Sequence, residues 1–303
     1  MVWLGDQIRD YALLARRTSY RPRRVTMSNR YLRPALVALT LSALTLPAFV
    51  AGQASPTSQA PPIPHRVNTT KFTIVDLAGT KPFYEKLLGM KELDRFVARD
   101  FLIEPFMGFD QGGRIGLLAF SENENLAKTP FPVSVVFVPD LDKVAARFEA
   151  AQHPIQMFSG DTTGGARLAL ATDPSGNTIE VVERAGLPAV GGARLIVDDR
   201  AKAEAFFVRV FDVEPEQRIV TDTFDEVFMN FGEGMFVALF EPKTPSSFPR
   251  SEQPVVSIYT TDFDAVLDRV NVGGLRVRKF GEAMFLANDP SGNVVEVVRQ
   301  AAR

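Results

Sequence analysis

The sequence predicts an α+β protein of four repeated strand-helix-strand-strand-strand (βαβββ) modules, grouped into two domains behind an N-terminal signal segment. Three observations predict it. Asp173-Pro174-Ser175-Gly176-Asn177-Thr178-Ile179-Glu180-Val181-Val182 recurs as Asp289-Pro290-Ser291-Gly292-Asn293-Val294-Val295-Glu296-Val297-Val298, with the turn letters, the glutamate and both valines in register. Repetition on this scale is the mark of duplicated architecture. Glu104, Phe106, Met107 and Phe109 likewise correspond to Glu226, Phe228, Met229 and Phe231. Finally, hydrophobic periodicity switches between strand and helix in the same order four times along the chain.

Taken from the N-terminus, the apolar stretch Ala35 to Val50 follows Arg30 and Arg33 and precedes the small residues around Gly52, Gln53 and Ala54. That layout is a secretory signal peptide, so residues 1–54 read as an extension plus signal and the mature protein as periplasmic or secreted. The stretch is 16 residues long and contains Pro47, short of the roughly 20 that span a bilayer, so no stable membrane span is expected after cleavage. Residues 55–66 carry Pro56, Pro61, Pro62 and Pro64 and read as a stiff tether holding His65.

The first domain is expected over 67–186. It opens with an alternating strand to Asp76, then a helix Leu77 to Leu88 closed by Gly89, then strands around Phe96, at Glu104 to Phe109 and at Arg114 to Phe120. A second unit follows as strand Val133 to Val138, helix Leu141 to Ala151, and strands Arg167 to Ala171 and Thr178 to Val182. The second domain, over 192–300, repeats the series. It has strand Ala193 to Val197, helix Ala201 to Phe211, and strands near Arg218, at Asp225 to Phe231 and at Met235 to Phe240. Strand Val255 to Tyr259, helix Phe263 to Val270, and strands Ala283 to Ala287 and Val294 to Val298 close it. In each repeated turn, proline presets φ and Gly-Asn supplies left-handed conformations ahead of a β-branched strand carrying one glutamate.

Composition narrows the chemistry. The chain has no cysteine and only two histidines, His65 and His153, which removes disulfides, thiolate metal sites and cysteine nucleophiles. Without residues 1–54 it loses eight arginines and two aspartates, leaving 26 basic against 34 acidic residues, a formal charge of −8. Nucleic acid is therefore not an expected partner. Gly112-Gly113, Gly164-Gly165 and Gly273-Gly274 lack the spacing of a phosphate loop, and no nucleophile elbow accompanies either histidine.

Asp76-Leu77 leading to Phe83-Tyr84-Glu85-Lys86-Leu87-Leu88-Gly89, its echo from Asp199 through Phe206-Phe207 and Val210-Phe211, and the two Asp-Pro-Ser-Gly-Asn turns together resemble the vicinal oxygen chelate superfamily. This is the fold of glyoxalases, bleomycin-resistance proteins and extradiol dioxygenases, here as a tandem two-domain member, and the resemblance covers Val67 to Val298. It implies that βαβββ units curl around a cavity. In metal-dependent members, first-strand histidines or glutamines join the glutamate of the closing strand around a divalent ion. Glu180 and Glu296 match that glutamate. The matching first-strand positions fall near Thr69, Val133, Gly192 and Val255, and none is a ligand of that kind.

The expectation is therefore no metal and no cofactor, with His65 in the tether and His153 after a helix. The alternative is an all-carboxylate Mg or Mn site pairing Glu180 with Glu104, or Glu296 with Glu226. The chain has 24 phenylalanines, and a cluster of them, notably Phe101, Phe106, Phe109, Phe224, Phe228, Phe231 and Phe236, falls in the hairpin strands. Period-two alternation places Phe106 with Glu104, and Phe228 with Glu226, on one strand face. The candidate ligand-binding residues are thus Glu104, Phe106, Glu180, Glu226, Phe228 and Glu296, with Glu180 and Glu296 as catalytic candidates. Three functions compete: a metal-free binder of a small organic molecule, of the bleomycin-resistance kind; a lyase, isomerase or dioxygenase-like enzyme using Glu180 or Glu296; and a non-catalytic assembly module. Internal duplication supplies the pairing that single-domain members obtain by dimerising, which fits a monomer.

Overall fold

The computed structural model describes residues 63–122, 128–129, 131–158, 166–232, 234–243 and 250–301. The expected signal segment, 1–54, and residues 55–62 of the expected tether lie outside them. Module 1 comprises β1 (His65–Ile74), α1 (Leu77–Pro82), β2 (Lys91–Ala98), β3 (Leu102–Gly108) and β4 (Arg114–Phe120). Module 2 comprises β5 (Ser134–Val138), α2 (Leu141–Ala150), β6 (Ile155–Phe158), β7 (Leu168–Thr172) and β8 (Thr178–Glu183). Module 3 has β9 (Ala189–Ile196), α3 (Arg200–Phe211), β10 (Pro215–Val220), β11 (Phe224–Met229) and β12 (Phe236–Pro242). Module 4 has β13 (Pro254–Thr260), α4 (Phe263–Val272), β14 (Val277–Phe280), β15 (Met284–Asn288) and β16 (Val294–Arg299).

The helices start and stop for local reasons. Asp140 and Asp199 cap α2 and α3 by accepting the backbone N–H groups of Lys143 and Lys202 at 2.9 and 3.0 Å. In α1, Pro82 supplies no N–H, and the next turn widens so that Leu88 N–H reaches the Phe83 carbonyl at 3.2 Å, five residues back. Gly89 ends it with φ 76°.

Within every module the first strand runs parallel to the last, β1 with β4, β5 with β8, β9 with β12 and β13 with β16. This leaves one edge of each first strand open, and that edge is where modules join. The pairing is not of module 1 with 2 and module 3 with 4, as the sequence reading had it. β1 pairs antiparallel with β13, so modules 1 and 4 form a first eight-stranded sheet. β5 pairs antiparallel with β9, so modules 2 and 3 form a second. A physical reason is the short link 184–188, which carries the chain from β8 past one strand to β9 in the same sheet, whereas the segments before β5 and β13 are longer and cross between sheets.

Consecutive modules do meet in the helix layer. Arg147 of α2 donates to the Leu87 carbonyl at 2.7 Å, and Arg269 of α4 to the Val210 carbonyl at 2.7 Å. One contiguous core, including Tyr84, Phe148, Phe207, Phe263, Leu117, Val181, Leu195 and Val297, joins the helices to one face of each sheet. The repeated turns tie the sheets together. Ser175 Oγ accepts the Val75 N–H at 3.0 Å and Asn177 donates to the Thr73 carbonyl at 3.1 Å. Ser291 Oγ accepts the Asp198 N–H at 2.9 Å and Asn293 donates to the Ile196 carbonyl at 2.9 Å. Each turn thus belongs to one sheet and grips the end of a first strand in the other.

Tyr84 adds a buried bond to the first turn, its hydroxyl donating to Asp173 Oδ2 at 2.7 Å. Phe207 takes the matching place in module 3. We expect Tyr84→Phe to cost about 1–3 kcal/mol, because a buried carboxylate oxygen loses a donor. Urea denaturation with an unchanged midpoint would refute it.

His65 is not in the tether. It opens β1, is buried, and holds the strand to the end of α3: Nε2 donates to the Phe211 carbonyl at 2.6 Å and Nδ1 lies 2.8 Å from Thr260 Oγ1. Burial draws its pKa below the ordinary imidazole value. The sequence reading also did not locate β6 and β14, four-residue edge strands with little burial and hence weak periodicity.

Candidate functional site

Strand alternation turns one face of each sheet away from the common core, and on that face the four predicted glutamates are buried. Those on the first sheet are Glu104 of β3 and Glu296 of β16, and the ammonium of Lys71 on β1 lies 3.0 Å from Glu104 Oε1 and 3.0 Å from Glu296 Oε2. Ser257 of β13 donates to Glu296 Oε1 at 2.8 Å. On the second sheet the pair is Glu226 of β11 and Glu180 of β8. Here Arg194 of β9 donates from Nε to Glu226 at 2.7 Å and from Nη1 to Glu180 at 3.1 Å, with the Pro132 carbonyl at 3.4 Å. The carboxylates therefore pair as Glu104 with Glu296 and Glu180 with Glu226. This corrects the predicted pairing, and the cause is the interleaving of modules.

Sequence reasoning missed both cations. Lys71 and Arg194 stand five residues before Asp76 and Asp199 respectively (76 − 71 and 199 − 194), one step along the same strand face from Thr69 and Gly192. A basic residue at the same place in two corresponding first strands was the available signal.

The electrostatics follow from burial. Glu104 is pushed above the usual carboxylate range by desolvation, with Lys71 opposing the rise and Glu296 adding to it. Glu226 is raised by desolvation against the pull of Arg194. Burial disfavours the Arg194 charge, but its two carboxylates outweigh that and hold the guanidinium above its ordinary value.

These residues do not fit a divalent ion. The space between each pair of carboxylates is filled by a side-chain cation, and a second positive charge there would have no donor set beyond the oxygens already taken. Among the described residues, no three His, Cys, Asp or Glu side chains form a group able to hold a metal.

The two faces differ at their neighbouring positions. On the first sheet Arg114 donates from Nε to Thr69 Oγ1 at 3.1 Å and from Nη2 to the Tyr259 hydroxyl at 3.1 Å, its guanidinium lying 4.0 Å above the Phe106 ring. Gly192, Phe236 and Phe137 occupy the corresponding positions of the second sheet. A Cβ at Gly192 would sit 2.1 Å from the Phe236 ring, and one at Gly191 would sit 2.0 Å from the Phe137 ring, so both glycines admit aromatic rings against the strand. Phe228 packs edge-on to Phe236 at 5.1 Å. The first face thus keeps a polar rim, while the second carries aromatic rings at the matching positions.

Gly116 makes room for the first cluster. A Cβ there would fall 2.3 Å from Glu104 Oε1, whereas Ala238 is accommodated at the matching position of the second sheet. Gly116→Ala is expected to displace Glu104 from Lys71 and to cost about 1–3 kcal/mol. A thermal midpoint equal to wild type would show that Glu104 moves aside freely.

Comparison with known proteins agrees with this fold. The Glyoxalase/Bleomycin resistance protein/Dioxygenase superfamily matches residues 66–181. Glyoxalase I from Zea mays superposes with a TM-score of 0.66 at 19% identity, covering 78% of this chain and 92% of that one. A point mutant of the maize enzyme gives 0.68 at 18% identity over 78% and 92%. These similarities speak for the fold. No curated protein sequence matches the chain.

Proposed function

We propose that this chain, whose residues 66–181 match the Glyoxalase/Bleomycin resistance protein/Dioxygenase superfamily and whose fold resembles that of glyoxalase I, is an exported protein that binds a small organic ligand without a divalent ion. Its binding face is the outward face of the first sheet. The observation that carries this reading is the Lys71 ammonium lying 3.0 Å from both Glu104 and Glu296, a side-chain cation in the place where metal-dependent members hold theirs. Arg194 repeats the arrangement independently. The polar rim of Arg114, Thr69 and Tyr259 favours the first face, and Phe106 beneath Arg114 offers an aromatic surface. The second face, packed with Phe137, Phe228 and Phe236, is assigned a structural role.

The test is a thermal-shift screen of small aromatic and polar ligands, with elemental analysis of protein purified from its native compartment. Ligand stabilisation that is lost in Arg114→Met but kept in Phe236→Leu is the expected result. Stoichiometric divalent metal would overturn the metal-free reading. Export is tested by sequencing the N-terminus of the exported fraction, where a start near residue 55 is expected.

A second reading is a metal-independent isomerase or lyase. It rests on Glu104, which burial pushes above the usual carboxylate range even beside the Lys71 ammonium, the direction that suits a group exchanging protons. Turnover of a carbonyl or catechol substrate that is abolished in Glu104→Gln would support it.

A further inference from the structure

Two of the rings that pack the second face, Phe137 and Phe236, also line a cavity of about 270 Å³ at the end of that sheet where β9 begins. The duplication shows how the space arises. At the offset of 123 that relates Lys71 to Arg194, Arg66, Asn68 and Thr69 of β1 correspond to Ala189, Gly191 and Gly192 of β9. Three side chains of the first copy have therefore shrunk to one methyl group. Phe137 and Phe236, whose rings lie where Cβ atoms of the two glycines would project, form a half-buried floor with centroids 6.5 Å apart. Hairpins of both sheets supply the walls. Gly113 N–H donates to the Val190 carbonyl at 2.8 Å, which brings the module 1 turn at Gly112 against β9, and Met229 and Met235 of module 3 close the interior. Arg194, Glu180 and Glu226 are not among the described residues that line it.

The mouth of this cavity carries a cation. Arg184, just past β8, is exposed; its backbone N–H donates to the Val138 carbonyl at 2.8 Å and its guanidinium lies 4.6 Å from the centroid of the Phe137 ring. A planar guanidinium resting on a ring keeps its N–H groups at its own edge, free to form a fork. Among the described residues, none of those side-chain donors has a hydrogen-bond or ion-pair partner. Glu216 of β10 also lines the cavity, but β5, β9, β12 and β11 stand between β8 and β10 in the sheet. One end is thus cationic, the other anionic, and the floor between them aromatic.

We propose that this cavity binds a small aromatic monocarboxylate, with its ring on Phe137 and Phe236 and its carboxylate held by the Arg184 fork. The volume lies just below the roughly 300 Å³ at which pockets for drug-sized ligands begin, so it suits one ring with a short chain. Offset or edge-on ring contact favours an aromatic body over an aliphatic one, and a guanidinium is the bidentate partner of a carboxylate. Glu216 at the far end disfavours a second anionic group. This site uses neither Arg114 nor Lys71 and stands or falls apart from the ligand site proposed on the first face.

The test is calorimetric titration of benzoate and of phenylacetate into the whole protein. Benzyl alcohol presents the ring without the charge, and acetate the charge without the ring. Saturable binding of the aromatic acids at one site per chain is expected, at least tenfold tighter than either control. Arg184→Gln, an exposed change that leaves the fold intact, should weaken the acids at least tenfold, and Phe137→Leu should weaken them several-fold. Arg114→Met should bind them as wild type does. Absence of saturable binding by both acids, or equal binding by Arg184→Gln and wild type, would overturn the proposal. Binding lost in Arg114→Met and kept in Arg184→Gln would place the ligand on the first face, which overturns this site and leaves the function proposed above standing.

Discussion

Lys71→Met is expected to lower stability by about 3–5 kcal/mol at pH 7.5, the usual range when one partner of a buried ion pair is removed. The methionine fills the volume, so the loss is electrostatic: Glu104 and Glu296 face one another in a buried site with no cation between them. The pH dependence gives the prediction its sign. Glu104 is already raised by burial, and a carboxyl raised on folding contributes stability that is complete below its unfolded pKa and is lost as the pH rises through its folded pKa. Removing Lys71 removes the attraction opposing that rise, so Glu104 binds its proton more readily in the folded state. The deficit of the variant is therefore largest above neutrality and shrinks toward pH 4. Urea denaturation at pH 4.5, 6 and 7.5 checks this, and a deficit of the same size at all three values would rule it out. Adding Glu104→Gln should restore part of the loss, since one buried charge then disappears with its partner.

Arg194→Met should cost a similar 3–5 kcal/mol, for the guanidinium satisfies Glu226, Glu180 and the Pro132 carbonyl together. Arg194→Lys keeps the charge but replaces a planar fork by a single nitrogen, so it should cost less than the methionine and more than nothing, about 1–3 kcal/mol. Circular dichroism melts of the two variants give the order. The pair also separates the two faces functionally. Arg194 variants should destabilise without altering affinity for a ligand of the first face, while Lys71 variants should change both; equal loss of ligand affinity in the two sets would contradict the assignment of roles.

Much of this architecture was legible in the sequence because local signals agreed. The Asp-Pro-Ser-Gly-Asn turns have conformational requirements that few other residues meet, and the strands after them alternate or run apolar according to burial. All four modules and all four buried glutamates were found that way. The sheet partnership was not legible. The edge of β1 joined by β13 has the same donors and acceptors as any other strand edge, so its choice of partner depends on chain geometry nearly two hundred residues away. From that single unreadable fact came the wrong pairing of the glutamates. Lys71 was overlooked for a different reason: a lysine inside a strand reads as a solvated position, and only its counterpart Arg194 in the second copy marks it as an interior charge.

Interleaving also sets an order of events during synthesis. β5 to β12 can close the second sheet once module 3 has emerged, since its two modules are consecutive and joined by residues 184–188. β1, made before any of these strands, waits with an open edge until β13 arrives from the last module. The earliest strand, paired on one side with β4, is thus the last to have its other edge covered, and the protein's exposure to misassembly is concentrated in that interval.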